Sequence, residues 1–183
     1  WNLLLKRSLQ KQAFIWMALC GASLMLSPML MLKGVSLPTI TWICLAGSIA
    51  AESVYYLSLT RAYDAGDLSL VYPLARGSAP LFIALWAFVF LGERPSGLGW
   101  LGIGLIVFGV YVVNLTTLAD FWRPFRMLKG RAVRLALFNG LIVSVYSVID
   151  KYGMRGADPL VYITILFGGV AVVLAPYMIR TLG

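Results

Sequence analysis

Long apolar stretches broken by short polar punctuation make up almost the whole chain. A helix that spans a bilayer needs about 20 mostly apolar residues. Six stretches meet that length: Ala13 to Leu32, Leu37 to Thr60, Leu68 to Leu91, Leu98 to Leu118, Ala132 to Ile149 and Pro159 to Ile179. Ahead of them, Trp1 to Leu5 reads as the last turn of a further helix. The separators are turn chemistry: Lys33-Gly34, then Asp64 to Asp67, then Gly92 to Gly97 with Pro95 inside it. Glycine takes left-handed geometry cheaply and proline lacks a backbone donor, so both end helices. Connections this short make neighbouring helices antiparallel. The longest connection, Ala119 to Arg131, alternates basic residues with Phe121, Trp122, Phe125, Met127 and Leu128. It fits an amphipathic helix on anionic headgroups, or a plain linker that carries a topology signal. Trp16, Trp42, Trp100 and Trp122 fall near run ends, at the depth where an amphipathic ring prefers the headgroups.

Composition agrees with the pattern. Of 183 residues, 61% are hydrophobic and 12% charged, against about 25% charged in an ordinary soluble domain. A soluble globule of this size could not cover itself with polar surface, which excludes a water-soluble enzyme, a disordered tail and a coiled coil. There is no histidine, and the two cysteines, Cys20 and Cys44, sit inside apolar runs. A zinc cluster and a Ser-His-Asp triad are therefore out by inventory, and the cysteines read as packing residues. No cofactor or metal is expected. The net charge of +8 would suggest nucleic acid in a soluble protein. Here the cations lie between apolar runs, so topology explains them and no nucleic-acid partner is expected. One face would carry ten basic residues (Lys6, Arg7, Lys11, Arg61, Arg123, Arg126, Lys129, Arg131, Arg134, Arg180) and the other four (Lys33, Arg94, Lys151, Arg155). The bias places the richer face in the cytoplasm.

The chain also echoes itself. Trp1-Asn-Leu-Leu-Leu-Lys6 resembles Tyr146-Ser-Val-Ile-Asp-Lys151, and Cys20 to Pro28 resembles Gly168 to Pro176. Four full spans separate the copies, so the repeat unit is five helices. An odd number inverts the second copy relative to the first, the arrangement that alternating access exploits.

Polar groups at membrane depth are the candidate chemistry. Glu52 lies about 22 Å along its run, counted from Leu37. A carboxylate there must face a cavity, pair with a cation or carry a proton. Arg76, about two turns into the third run, keeps its charge under burial. It is a candidate partner for Glu52 or a receiver for an anionic substrate group, with snorkelling as the plainer reading. Pro73 and Pro80 flank it and disturb the turns before them, so Tyr72 to Pro80, Ser78 included, reads as an irregular segment lining a cavity or as a packing kink. Tyr55, Tyr56 and Tyr72 offer aromatic faces and hydroxyls to the same space or simply pack. Asn139, Ser144, Tyr146, Ser147 and Asp150 are the polar positions of the fifth run. Small residues four apart, such as Gly47/Ala51 and Gly140/Ser144, permit close helix approach.

The segment Ser58 to Asn114 carries a family resemblance: a short polar turn, the proline-centred Ser78-Ala-Pro80-Leu, the helix end Gly92-Glu93-Arg94, and a Gly-rich helix from Gly97 to Val113. It resembles the EamA-type transporters of the drug/metabolite transporter superfamily. The resemblance implies ten helices in two inverted five-helix repeats around a central cavity, through which small metabolites or drugs move. It also implies the opposite orientation to the one the charge count gives. Glu93 reads as structural, capping the turn or pairing Arg94. On this basis residues 1–118 are the first repeat without most of its first helix, 119–131 a basic amphipathic connector, and 132–183 the start of a second repeat. The sequence then reads as a piece of a longer protein.

The expected fold is therefore an all-α polytopic membrane bundle. The expected function is secondary transport of small molecules by alternating access, with Glu52 available for proton coupling. Glu52, Arg76, Tyr55, Tyr72, Pro73, Ser78 and Pro80 form the candidate site. A lipid-directed membrane enzyme is disfavoured because the seven acids are scattered. A non-transporting membrane scaffold or assembly subunit is the alternative. The expected setting is multi-pass in the plasma (inner) membrane, with lipid and a small-molecule substrate as partners and a homo-oligomer left open.

Overall fold

A computed structural model describes residues 2–92, 94–113 and 130–182. Among them all regular structure is helical. The elements are α1 (Asn2–Arg7), α2 (Lys11–Lys33), α3 (Thr39–Ala65), α4 (Leu68–Leu91), α5 (Gly97–Val113), α6 (Arg131–Gly153), a single 3-10 turn (Met154–Gly156) and α7 (Pro159–Leu182). Five of these helices are long and apolar enough to cross a membrane, and α5 is a shorter apolar helix. The chain is thus an all-α, multi-pass integral membrane protein.

The hydrophobic runs locate the helices closely, and the ends move where local chemistry allows. The third helix continues past Thr60 through Asp64, because nothing from Arg61 to Ala65 breaks a helix until Gly66. Its neighbour α4 ends where Gly92 adopts φ 62°, and the Gly92 N–H bonds the Ala87 carbonyl. A side chain would be strained there. The entry to α7 is a cap legible in sequence. Asp158 accepts the Leu160 and Val161 N–H groups at 2.9 and 3.4 Å, and Pro159 takes the first helical position. The Ala119 to Arg131 connector lies, up to residue 129, outside the described residues, as do Trp122, Asn114 and Glu93.

The chain divides into two compact units, Trp1–Leu57 with Val145–Gly183, and Ser58–Ser144. In the first, α2 packs along α7. The Trp16 indole N–H donates to the Ala171 carbonyl at 2.9 Å, and the Ser23 hydroxyl donates to the Thr164 carbonyl at 3.3 Å. Trp16 is therefore a link between helices, whereas Trp42 is 46% exposed and free to meet headgroups. The rising and falling numbers make α2 and α7 antiparallel.

The first unit also packs α3 against α6. Thr41 donates to the Gly153 carbonyl at 2.9 Å. A Cβ at Gly153 would come within 2.8 Å of Cys44 Cβ and of the Tyr162 ring, so only glycine permits this approach. Cys44 is buried and free, and Cys20 is free as well. In the second unit, a Cβ at Gly66 would lie 2.6 Å from Ala132 Cβ, which sets α3 against α6. One at Gly140 would lie 3.0 Å from the Ala75 carbonyl and would strike the Ser78 hydroxyl, which sets α6 against α4. The Trp86 indole reaches the Ser144 hydroxyl at 2.8 Å along the same seam.

Candidate functional site

Glu52 sits on α3 with 7% of its surface exposed. Its Oε2 is buried and has no hydrogen-bond partner among the described residues. One turn earlier on the same face, Ser48 donates to Asp150 Oδ1 on α6. The Tyr162 hydroxyl of α7 donates to that same oxygen at 2.7 Å. Three helices of the first unit thus meet at Asp150 Oδ1, one helical turn from the unpartnered Glu52 Oε2. Tyr55 follows Glu52 by three residues on α3. Its ring stands edge-on to Tyr56 at 5.1 Å and to Tyr146 at 6.0 Å, and it is 7% exposed.

The residues on α4 divide by face. Val71, Ala75, Ser78 and Ala79 are buried, the one-turn spacing of a packed stripe. Tyr72 and Arg76, four apart, share a face beside that stripe and are exposed, and Pro73 and Pro80 are half-buried. Despite its two prolines α4 is assigned as helix throughout Leu68–Leu91. Glu52 and Tyr55 fall in the first unit, and Arg76, Tyr72, Pro73, Ser78 and Pro80 in the second.

Sequence reasoning picked out Glu52 and did not join Asp150, Ser48 or Tyr162 to it. The i, i+4 pair Ser48/Glu52 was a legible signal, since two polar side chains on one helix stripe mark a polar face. The pairing of that stripe with Asp150 depends on the α3/α6 register, which no local pattern encodes.

At the end of α2, Lys33 forms a salt bridge with Asp158, which lies outside the spans at the entry to α7. The hydrogen bond from Lys33 holds the Asp158 carboxyl below its ordinary value, and the two backbone N–H bonds act the same way. The side chains are 39% and 35% exposed, so this is a surface clasp between α2 and α7. No group of three or more Cys, Asp or Glu that could hold a metal occurs among the described residues.

The profile of the EamA-like transporter family matches residues 3–115. Over 81 residues the chain is 33% identical to the "Uncharacterized transporter in cobO 3'region" of a Sinorhizobium species, a match that covers 44% of this chain and 57% of that protein. The chain therefore spans little more than half the length of this relative. No solved structure matches it.

Proposed function

Because the chain belongs to the EamA-like transporter family, we propose that it forms part of a secondary transporter that moves small metabolites or drug-like molecules by alternating access. The proposed setting is the plasma membrane, and the proposed coupling ion is the proton, carried by Glu52. The observation that carries the coupling reading is the buried, unpartnered Glu52 oxygen one turn from the Ser48–Asp150–Tyr162 network. A carboxylate in a spanning helix is expensive unless it is neutralised, and neighbouring carboxylates resist holding two negative charges at once. A proton on Glu52 relieves both costs, and its release when the site opens to water links protonation to conformation.

The echo of Cys20 to Pro28 in Gly168 to Pro176 supports the inverted-repeat reading. Two helices that meet across a two-fold axis can exchange roles as the repeats rock. Residues 1–118 and 132–183 are accordingly proposed as the two repeats. Arg76, Tyr72, Pro73, Ser78 and Pro80 remain proposed substrate-contact positions. Arg76 on an exposed face of α4 suits an anionic group better than a buried ion pair.

The test is Glu52→Gln in proteoliposomes with an imposed pH gradient. The variant should insert normally and lose gradient-driven flux. Unchanged pH-dependent flux would remove Glu52 from the coupling role.

A further inference from the structure

Within the second unit, α4 and α5 leave an apolar cavity of about 180 Å³ between them. Leu81, Leu85 and Phe88 line it from α4, Pro95 from the turn, and Trp100 and Ile103 from α5. Ala84 is the one small residue in this wall. Positions 81, 84, 85 and 88 have the spacing of a single helix face. Leu85, Phe88 and Trp100 are exposed, so the cavity is a groove open to the side of the hairpin.

The dimensions select the occupant. Leu81 stands ten residues from the end of α4 at Leu91, about 15 Å along the helix. That is half of a hydrocarbon core of about 30 Å. Measured from the turn, the groove is as deep as one leaflet. A helix is about 10–12 Å across, too thick for this volume. Helices also approach one another over small residues, and this wall is bulky apart from Ala84. A flexible acyl chain is both thin enough and long enough.

Apolar fit alone selects nothing in a bilayer, because the surrounding tails are as apolar as leucine. What distinguishes this groove is the cation at its mouth. Arg94 is exposed and precedes the wall residue Pro95, so the two Cα atoms are about 3.8 Å apart. Its guanidinium keeps its charge and presents a planar fork of donors that matches a phosphate. Glu93 precedes it in the chain, so the turn has no net charge, and recognition depends on contact with the fork rather than on long-range attraction. Trp100, one turn into α5, is exposed at the level where an indole prefers the headgroup region.

We propose that the α4–α5 hairpin holds one membrane glycerophospholipid, with an acyl chain in the groove and its phosphodiester on Arg94. A slot one leaflet deep with a phosphate-binding cation at its mouth complements both ends of such a lipid. The proposal is independent of the coupling role given to Glu52.

The test uses the full-length protein in vesicles of phosphatidylethanolamine and phosphatidylglycerol. They contain a trace of phosphatidylglycerol with a diazirine in one acyl chain, or of diacylglycerol with the same chains. Light should attach the phospholipid to the segment 81–103 about tenfold more than the diacylglycerol, because a hydrogen bond to a charged group is worth about a decade in affinity or more. Arg94→Gln should lower the phospholipid yield to that of the diacylglycerol, and Arg94→Lys should keep part of the difference. Ala84→Leu, which fills the groove, should lower both. Equal yields for the two probes, or an Arg94→Gln protein that labels like the original, would leave ordinary annular lipid and overturn the proposal.

Two further measurements do not depend on Ala84→Leu folding. After mild detergent extraction the unsubstituted protein should retain one phospholipid per chain by intact mass, and Arg94→Gln, altered only at an exposed residue, should retain about tenfold less. Equal retention would refute the site. A benzophenone amino acid in place of Leu85 should capture lipid. Capture of a second copy or of another helix of the chain would assign the groove to protein and refute it as well. None of these readouts needs flux, so failure of the lipid site and failure of the transporter reading are separately visible.

Discussion

The contact of α6 with α4 makes a sharp energetic prediction through Gly140→Ala. On an isolated helix this change is favourable by about 1 kcal/mol, because alanine loses less backbone freedom than glycine. Here the new methyl would come within 3.0 Å of the Ala75 carbonyl and 3.1 Å of Ser78 Cβ, and would overlap the Ser78 hydroxyl. A carbonyl in a helix cannot step aside alone, so the helices must part or the serine must turn. Overpacking of this kind costs about 1–3 kcal/mol. The net expectation is a loss of about 1 kcal/mol, with the sign opposite to the propensity effect. Ser78→Ala supplies the control. Its hydroxyl makes only a 3.4 Å bond to the Ala75 carbonyl, so the single variant should be nearly neutral. In the Gly140→Ala background it removes the worst overlap and should restore about 1 kcal/mol, a coupling of the size seen between touching residues. The assay is reversible unfolding in mixed micelles followed by tryptophan fluorescence, with Trp86 near the seam as reporter. A Gly140→Ala protein more stable than the original would refute the reasoning, as would a Ser78→Ala effect that is the same in both backgrounds.

Removing the indole donor with Trp16→Phe should cost about 1 kcal/mol of α2–α7 packing, more than Ser23→Ala, whose bond is longer at 3.3 against 2.9 Å. Equal losses in mixed-micelle unfolding would contradict that ranking. The Lys33–Asp158 clasp predicts a pH and salt dependence. Because the folded Asp158 carboxyl titrates below its ordinary value, its stabilising effect is present above about pH 3.9, the unfolded value, and disappears as pH falls through the lower folded value. Added salt should weaken it at neutral pH. Asp158→Asn should remove this dependence while retaining the helix cap, and Asp158→Ala should be less stable than Asp158→Asn because the bonds to Leu160 and Val161 go too. A pH profile in which Asp158→Asn and the unsubstituted protein run parallel through the acid range would show that the clasp contributes nothing.

The sequence by itself determined the membrane as solvent and where the long apolar helices lie, to within a few residues at their ends. These follow from local properties: run length, glycine and proline in the separators, and a cap such as Asp158-Pro159. It also singled out Glu52, since one acid in a long apolar run is visible without knowing its neighbours. The tertiary structure decided which polar groups meet. That Ser48 answers Asp150 and that Tyr162 shares the same oxygen both depend on how far one helix slides past another. That register is set by close approaches at Gly66, Gly140 and Gly153, and a glycine in an apolar run does not announce its partner. The division of α4 into a buried Ala75/Ser78 face and an exposed Tyr72/Arg76 face was hidden for the same reason. In a chain apolar on nearly every side, periodicity no longer distinguishes the face that meets lipid from the face that meets protein.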